Sequence, residues 1–556
     1  MILGIERRKE VKEVVATEMQ TASAEYALHQ GTNCKAYHHF GCQRVLGDFI
    51  FRVLSPDASR VCLVGDFCGW DEGLSMSLIS EDGVWECAVR SDRIGYGDKY
   101  KFKIFYGDRV EYRADVFAFA SECPPNTASL VCDLDRYVWR DKGWLSHRRM
   151  MAEQLHDLPL NIYELDLATW HCHSDGSVMS YREVAGELAT YVKQMGYTHI
   201  QLLPVWRRDL CSAFAPDSRM GGHEDFMFFV DSMHEAGVGV LLDWSFTEAE
   251  IQYYSQQMGQ PYFEANALFW VDRYHVDGLC VGGERWNDIA ANVARAVRSQ
   301  YPDVILICRE KKTDGFDLCF DGAWADELYE CATTDAFLRE PSYKTSADLR
   351  GRVLPVSYEG LINGKRTFLD KMSGDYWQKF AGARAFLGYM MTVGGKKLTF
   401  MGSEIGQFKE WDGESAVEWF LLEHDSHARL QRYVADLGQL YLRTPALWQE
   451  QNGNADGMCV SHDDTVQGII SYCRRDKDGN EVIVVINFTP VVYENYRLEV
   501  CCGGEYREIF NSDDISYGGS GVVNSETVSC DGDSSIVIKV PPLAVSILRC
   551  VVRTRF

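Results

Sequence analysis

Residues able to do chemistry gather in a few short stretches, and the most telling is VDGLCVGGE, Val276 to Glu284. It reads as a buried strand running into a loop, where a strand-end carboxylate would act as acid, base or nucleophile, yet it closes on Gly282 and Gly283. Carboxylates lie around the gap. Asp277 opens the stretch, and Glu284, two residues past Gly282, shares its parity and is a candidate relocated nucleophile. Glu284 also reads as a solvated carboxylate at the head of the next helix, favoured there by the helix dipole. ICREKK sets Arg309 before Glu310; neighbours on a strand face opposite ways, so Glu310 cannot present a carboxylate on the face Arg309 occupies without a bulge. VSYEGL supplies Tyr358 and Glu359, and DWSFTE supplies Asp243 and Glu248. Arg309, Glu310 and Glu359 together also read as an ion-pair cluster that serves structure rather than catalysis. The 19 cysteines are scattered, and Cys501 and Cys502 are adjacent rather than spaced as zinc ligands, so neither metal nor other cofactor is expected.

The elements that must hold these residues follow from the patterning. FIFRVLSP, RVCLVGDF, GVWECAVR and DKYKFKIFYGD are short alternating runs broken by turn signals, which predicts an all-β sandwich within residues 36–140. From Asn161 apolar strands alternate with helical periods: NIYELDL, HIQLLPV, VGVLLDW, VDGLCV, DVILIC, GFDLCF, RVLPVS and KLTFMG. Eight buried strands with intervening helices predict a (β/α)₈ TIM barrel, placed at residues 141–445. Alternation returns in GIISYCRR, EVIVVINFTP and SSIVIKV, a closing all-β domain over residues 446–556. Residues 1–35 form an extension without clear pattern. The fold class is therefore α/β, with a barrel flanked by two β domains.

Composition narrows the partners. A net charge of −25 with no Lys/Arg-rich run disfavours nucleic acid and anionic membrane. The charged opening MILGIERRKEVKEVVATEMQ is not a signal peptide, and no stretch approaches about 18 consecutive apolar residues, so a soluble cytoplasmic protein is expected.

Longer runs carry a specific resemblance. NIYELDLATW, SYREVAGELATYVKQMGYTHIQLLPV, DKMSGDYWQKF, GYMMTVGGKKLTFMGSEIGQFKEW and LYLRTPALW resemble glycogen (1,4-α-glucan) branching enzymes of the α-amylase superfamily, over about Gly41 to Arg549. VGDFCGW and YKFKIF resemble the glycogen-binding module of such enzymes. The resemblance implies retaining glycosyl transfer, in which an α-1,4 link is cut and the glucan rejoined as an α-1,6 branch. That chemistry needs a carboxylate nucleophile and an acid roughly 5 Å apart, at the C-terminal ends of barrel strands.

This chain departs from the family at those places. The strand-four motif D-G-L-R-V-D reads Asp277, Gly278, Leu279, Cys280, Val281, Gly282, so a glycine stands at the nucleophile and a cysteine at its arginine. Arg309 aligns with the general acid, and a guanidinium stays protonated near neutral pH. Tyr358 and Glu359 stand for a histidine and an aspartate that grip the sugar, and Glu248 for another sugar-binding histidine. Loops after Trp206 and after Glu248 are shorter than the family's. Losing one member of such a pair can cost on the order of a million-fold in rate. The resemblance thus implies a degenerate branching enzyme, a pseudoenzyme of glycogen metabolism that binds α-glucan, glycogen or amylose, without turning it over. An active branching enzyme with rearranged carboxylates drawn from Glu284, Glu310 and Glu359 is the alternative. A structural subunit paired with an active branching enzyme is a third reading. In the leading sandwich Trp70, Lys101 and Tyr112 match glucan-binding positions, with Trp70 equally readable as packing against the barrel. Asp243, Glu248, Asp277, Cys280 and Tyr358 are expected at the barrel mouth.

Overall fold

The computed structural model describes residues 35–209, 211–282, 287–309, 314–333, 349–449, 458–464, 467–500, 502–530 and 534–554. The leading domain is two facing antiparallel sheets. One orders the strands Gly41–Val45, Asp48–Leu54, Val84–Val89 and Ser77–Leu78; the other joins Leu74–Ser75, Arg60–Gly65, Lys99–Tyr106 and Arg109–Arg113. Period-two alternation turns Phe49, Phe51, Val61, Leu63, Tyr100, Phe102 and Ile104 inward to a common core.

Eight parallel strands close the barrel: β1 Asn161–Leu165, β2 His199–Leu202, β3 Gly239–Trp244, β4 Gly278–Val281, β5 Ile305–Cys308, β6 Leu318–Phe320, β7 Arg352–Val356 and β8 Lys396–Phe400. All eight stretches named from the sequence are strands. Inside, Ile162, Leu241, Cys280, Ile307, Leu318, Val353 and Leu398 pack as one cluster. The helices used below are α1 Lys142–Met151, α2 Tyr181–Gln194, α3 His223–Glu235, α4 Glu248–Met258, α5 Pro261–Tyr274, α6 Asn287–Gln300, α7 Gly322–Thr333, α8 Tyr376–Thr392 and α9 Asp425–Leu442. In α2 the Ser180 cap and Glu183 satisfy the first free N–H groups reciprocally. Its Tyr181, Val184, Ala185, Leu188, Ala189 and Val192 then repeat at helical spacing and are buried against the sheet.

The segment after β3 is brief, since Trp244 ends the strand and Glu248 begins α4. The segment after β2 folds down rather than out. Its Ser212 lies within hydrogen-bond reach of the Val116 and Ala118 carbonyls, and the Ala213 carbonyl accepts from Asn266 and Trp270 of α5.

The closing domain is a six-stranded sheet facing the two-stranded sheet Tyr493–Glu499 and Ser535–Val540. The strand Ala544–Thr554 is central, paired with Glu481–Asn487 on one side and Gly503–Asn511 on the other. It also packs on α8: a Cβ at Gly388 would come within 2.8 Å of Val545.

Candidate functional site at the barrel mouth

Strands β1, β3, β5 and β7 deliver one charged cluster to their C-terminal ends. Glu164 of β1, fully buried, accepts from Ser357 Oγ at 3.0 Å, from the Tyr358 backbone N–H at 2.9 Å and from Gln201 Nε2 at 3.1 Å. Arg309, directly after β5, points inward with its side chain 5% exposed. Its guanidinium is 2.6 Å from Asp243 Oδ2, 2.5 Å from Glu359 Oε1 and 3.9 Å from Glu164 Oε1. It also lies over the rings of Phe320 and Tyr358, at 5.5 and 5.4 Å. Cys280 is level with Asp243 in the strand register and buried.

The cluster explains Gly282. A Cβ there would stand 2.2 Å from Arg309 Cδ, a distance real Cβ atoms do not keep, and 3.0 Å from its Cγ. The arginine stem fills the space a side chain at position 282 would occupy. The two residues therefore depend on each other.

Electrostatics follow from burial. Burial pushes the Glu164 carboxyl up to about 7 from its ordinary 4.5, with Arg309 and the Tyr358 and Ser357 hydrogen bonds opposing. Burial works against the Arg309 charge, but Asp243 first, then Glu359, hold it protonated. Burial, then Asp243, keeps the Tyr358 phenol protonated. Among the described residues the mouth thus contains a fixed cation, and one carboxyl, Glu164, able to hold a proton near neutral pH. A cleft of about 560 Å³ opens beside it, lined by Tyr358, Trp411, Asp166, Trp206 and Arg208 among others. No group of His, Cys, Asp and Glu among the described residues could hold a metal ion.

The other sequence-derived candidates are placed as follows. Glu284 and Glu310 lie outside the described residues. Glu248 stands exposed in the first turn of α4, whereas Glu250 turns inward and pairs with Arg208 at 2.8 Å. Asp277 is a correction: it precedes β4 and sits at the opposite, N-terminal end of the barrel. There it accepts from Trp144, Arg148, His234 and the Val240 N–H. In the leading sandwich Trp70 is 37% exposed and its indole N–H donates to Asp66 at 2.9 Å. Tyr112 is exposed, and Lys101 donates to Thr127 Oγ1 at 2.7 Å. Lys101 and Tyr112 share the sheet face opposite the Tyr100, Phe102 and Ile104 core. Trp85 is core. Sequence reading missed Glu164 and Gln201. The available signal was a carboxylate and an amide at inward parity within the apolar runs NIYEL and HIQLL.

Comparison with known proteins bears on the whole chain. Residues 39–118 match carbohydrate-binding module 48 (isoamylase N-terminal domain), and residues 459–551 match the alpha amylase C-terminal all-beta domain. The 1,4-alpha-glucan branching enzyme GlgB of Halothermothrix orenii is 33% identical over 618 residues, covering 93% of this chain and 97% of the relative. That of Bacillus subtilis is 32% identical, covering 97% of this chain and 99% of the relative. The first alignment is longer than the 556 residues of this chain, so segments of the relative have no counterpart here. Among solved structures, pullulanase complexed with maltotetraose from Anoxybacillus sp. LM18-11 superposes with a TM-score of 0.70 at 15% identity, covering 92% of this chain and 87% of that one. The catalytic module of the pneumococcal glycogen-degrading virulence factor SpuA does so with a TM-score of 0.70 at 14% identity, covering 94% and 98%. These two likenesses carry the fold alone. Shared sequence from the leading module to the closing β domain, at more than 30% identity, makes this chain a member of the 1,4-alpha-glucan branching enzyme family.

Proposed function

We propose that this protein is a glucan-binding member of its family that no longer performs glycosyl transfer. The observation that carries the reading is the Arg309 stem lying across Gly282, with its guanidinium on Asp243 and Glu359. Retaining transfer needs a nucleophile and a proton donor facing each other across the scissile bond. Here the first position has no side chain, and the second holds a cation that fills the space between them. Glucan contact is assigned to the leading sandwich, where the exposed Trp70 and Tyr112 offer ring faces to sugar C–H groups. Among the described residues no helix is long and apolar enough to cross a membrane, and a role in cytoplasmic glycogen metabolism is part of this proposal.

The test is incubation of the purified protein with amylose, followed by iodine staining and debranched chain-length analysis. The expected outcome is no new α-1,6 branches and no reducing ends above a protein-free blank. Branching abolished by Glu359→Ala would support instead an active enzyme with rearranged carboxylates. Co-sedimentation with glycogen should be weak, with Kd roughly micromolar to millimolar because open sugar sites bury little area, and lost in Trp70→Ala. No co-sedimentation of the intact protein would favour a structural subunit that binds no sugar.

A further inference from the structure

The strand Gly503–Asn511 and the last strand, Ala544–Thr554, bring two thiols together at one end of the closing domain. Cys502, one residue ahead of the first of these strands, sets its sulfur 3.8 Å from that of Cys550, in contact but not bonded. Both are free thiols and partly exposed, whereas Cys62, Cys211, Cys280 and Cys473 are buried. A small oxidant in solvent can reach this pair.

The contact is built into the sheet. A Cβ on Gly504 would fall 1.9 Å from the Val552 carbonyl oxygen, so only glycine lets the chain ahead of Tyr506 lie this close to the last strand. Tyr506 is the register partner of Cys550, and its hydroxyl donates to the Cys502 carbonyl at 2.8 Å, which folds Cys502 back towards Cys550. On the other flank of the last strand, Glu481 accepts from the Cys502 thiol at 2.9 Å, and its second oxygen is fixed by Arg475 and Arg553 at 2.8 and 2.9 Å.

A disulfide is about 2.0 Å long, so the two sulfurs must close by roughly 1.8 Å. Cys502 precedes the first register pair, Gly503 with Thr554, and its backbone can shift without parting the strands. Burial, then Cys502, pushes the Cys550 thiol up to about 11. That sulfur rests as a neutral thiol, and no stabilised thiolate there favours the reduced form over a disulfide.

We infer that Cys502 and Cys550 are a modification site, a thiol pair that hydrogen peroxide converts to a disulfide tying the last strand to the crossing between the two sheets of this domain. One peroxide oxygen adds to one sulfur, giving a sulfenic acid and a water. The second thiol attacks that sulfur; the S–O bond breaks as the S–S bond forms, and a second water leaves. Two thiols lose two electrons in all, and one peroxide takes them up. The bond joins positions 48 apart and so restricts the unfolded chain, which makes the oxidised protein the more stable form. The site is independent of the barrel mouth and of any sugar chemistry.

The full-length protein is treated with hydrogen peroxide without denaturant, then alkylated in urea, digested and mapped by mass spectrometry. A linked peptide joining Cys502 to Cys550, released by dithiothreitol, is expected. It should persist in Cys501→Ser and vanish in Cys502→Ser and in Cys550→Ser. The urea midpoint should rise on oxidation, and the rise should be absent in Cys550→Ser. Exposed Cys123 reports that the oxidant has acted. Oxidation of Cys123 while Cys502 and Cys550 stay open to alkylation, or are oxidised without becoming linked, overturns the proposal. Linkage through Cys501 in place of Cys502, or a linked protein whose urea midpoint falls, overturns it equally.

Discussion

At the barrel base Asp277 receives four donors at 2.8–2.9 Å, each aligned for a hydrogen bond, and His234 bridges it to Asp141 at 2.9 and 3.0 Å. At the mouth Arg309 reaches Asp243 and Glu359 at comparable distance, but among the described residues none of its guanidinium N–H groups is aligned for a hydrogen bond, and Asp243 Oδ1 and Gln201 Oε1 are buried without one. A buried charge is stabilised when its partners are both near and directional; nearness alone leaves much of the desolvation cost standing. The base is thus built as a load-carrying joint of the fold. The mouth holds its charges because backbone and glycine give the arginine nowhere else to go.

Removing Asp277 should separate the two ends most clearly. Asp277→Ala leaves Arg148 and His234 buried beside an empty place and is expected to cost about 3–5 kcal/mol in urea denaturation. A loss under 1 kcal/mol would show that the base network is as dispensable as a surface pair. Next in size is Gly282→Ala, expected to cost about 1–3 kcal/mol by overpacking against the Arg309 stem. In an Arg309→Ala background the same change should cost less, giving a coupling of about 0.5–3 kcal/mol in a double-mutant cycle. Additive costs would mean that the stem does not lie over Gly282.

The smallest effect is a difference in titration window. Burial raises the folded-state pKa of Glu164 to about 7, so the folded protein keeps a proton that the unfolded chain has lost above 4.5. Stability from that proton is full below 4.5 and declines as pH rises through about 7, and Glu164→Gln should flatten this slope. For His234 burial pulls the pKa down, but Asp277 and Asp141 overcome it and raise it to about 9. Its contribution is full below 6.5 and is lost as pH rises through about 9, so His234→Gln should change the curve only on that alkaline side. A single shared window for both variants would mean that the two ends titrate as one system.

Much of this was readable in the chain before any coordinates. The eight strand segments declared themselves because buried parallel strands are nearly continuous apolar runs, and such runs resist other readings. The pairing of Arg309 with Glu359 was also legible, since only charges of both signs could share an emptied mouth. Asp277 was misplaced because a strand written in letters has no visible end: the run from Val276 to Gly282 does not say that the strand begins only at Gly278. Glu164 was overlooked for a related reason. An isolated carboxylate in an apolar strand looks like an interruption until the residues that bond it, 37 and 193 positions away, are brought alongside.

The central place of Ala544–Thr554 in the closing sheet has a consequence for how the protein is made. During synthesis both of its neighbours, Glu481–Asn487 and Gly503–Asn511, leave the ribosome first and wait with unpaired edges, while α8 waits with the surface that Val545 will cover. Until that strand arrives the nascent chain carries two open sheet edges and a bare flank of its barrel, the combination most prone to pairing with a neighbouring chain. A chain cut before Ala544 would therefore be not a trimmed protein but a sticky one, and quality control rather than any assay of sugar would be the first to notice.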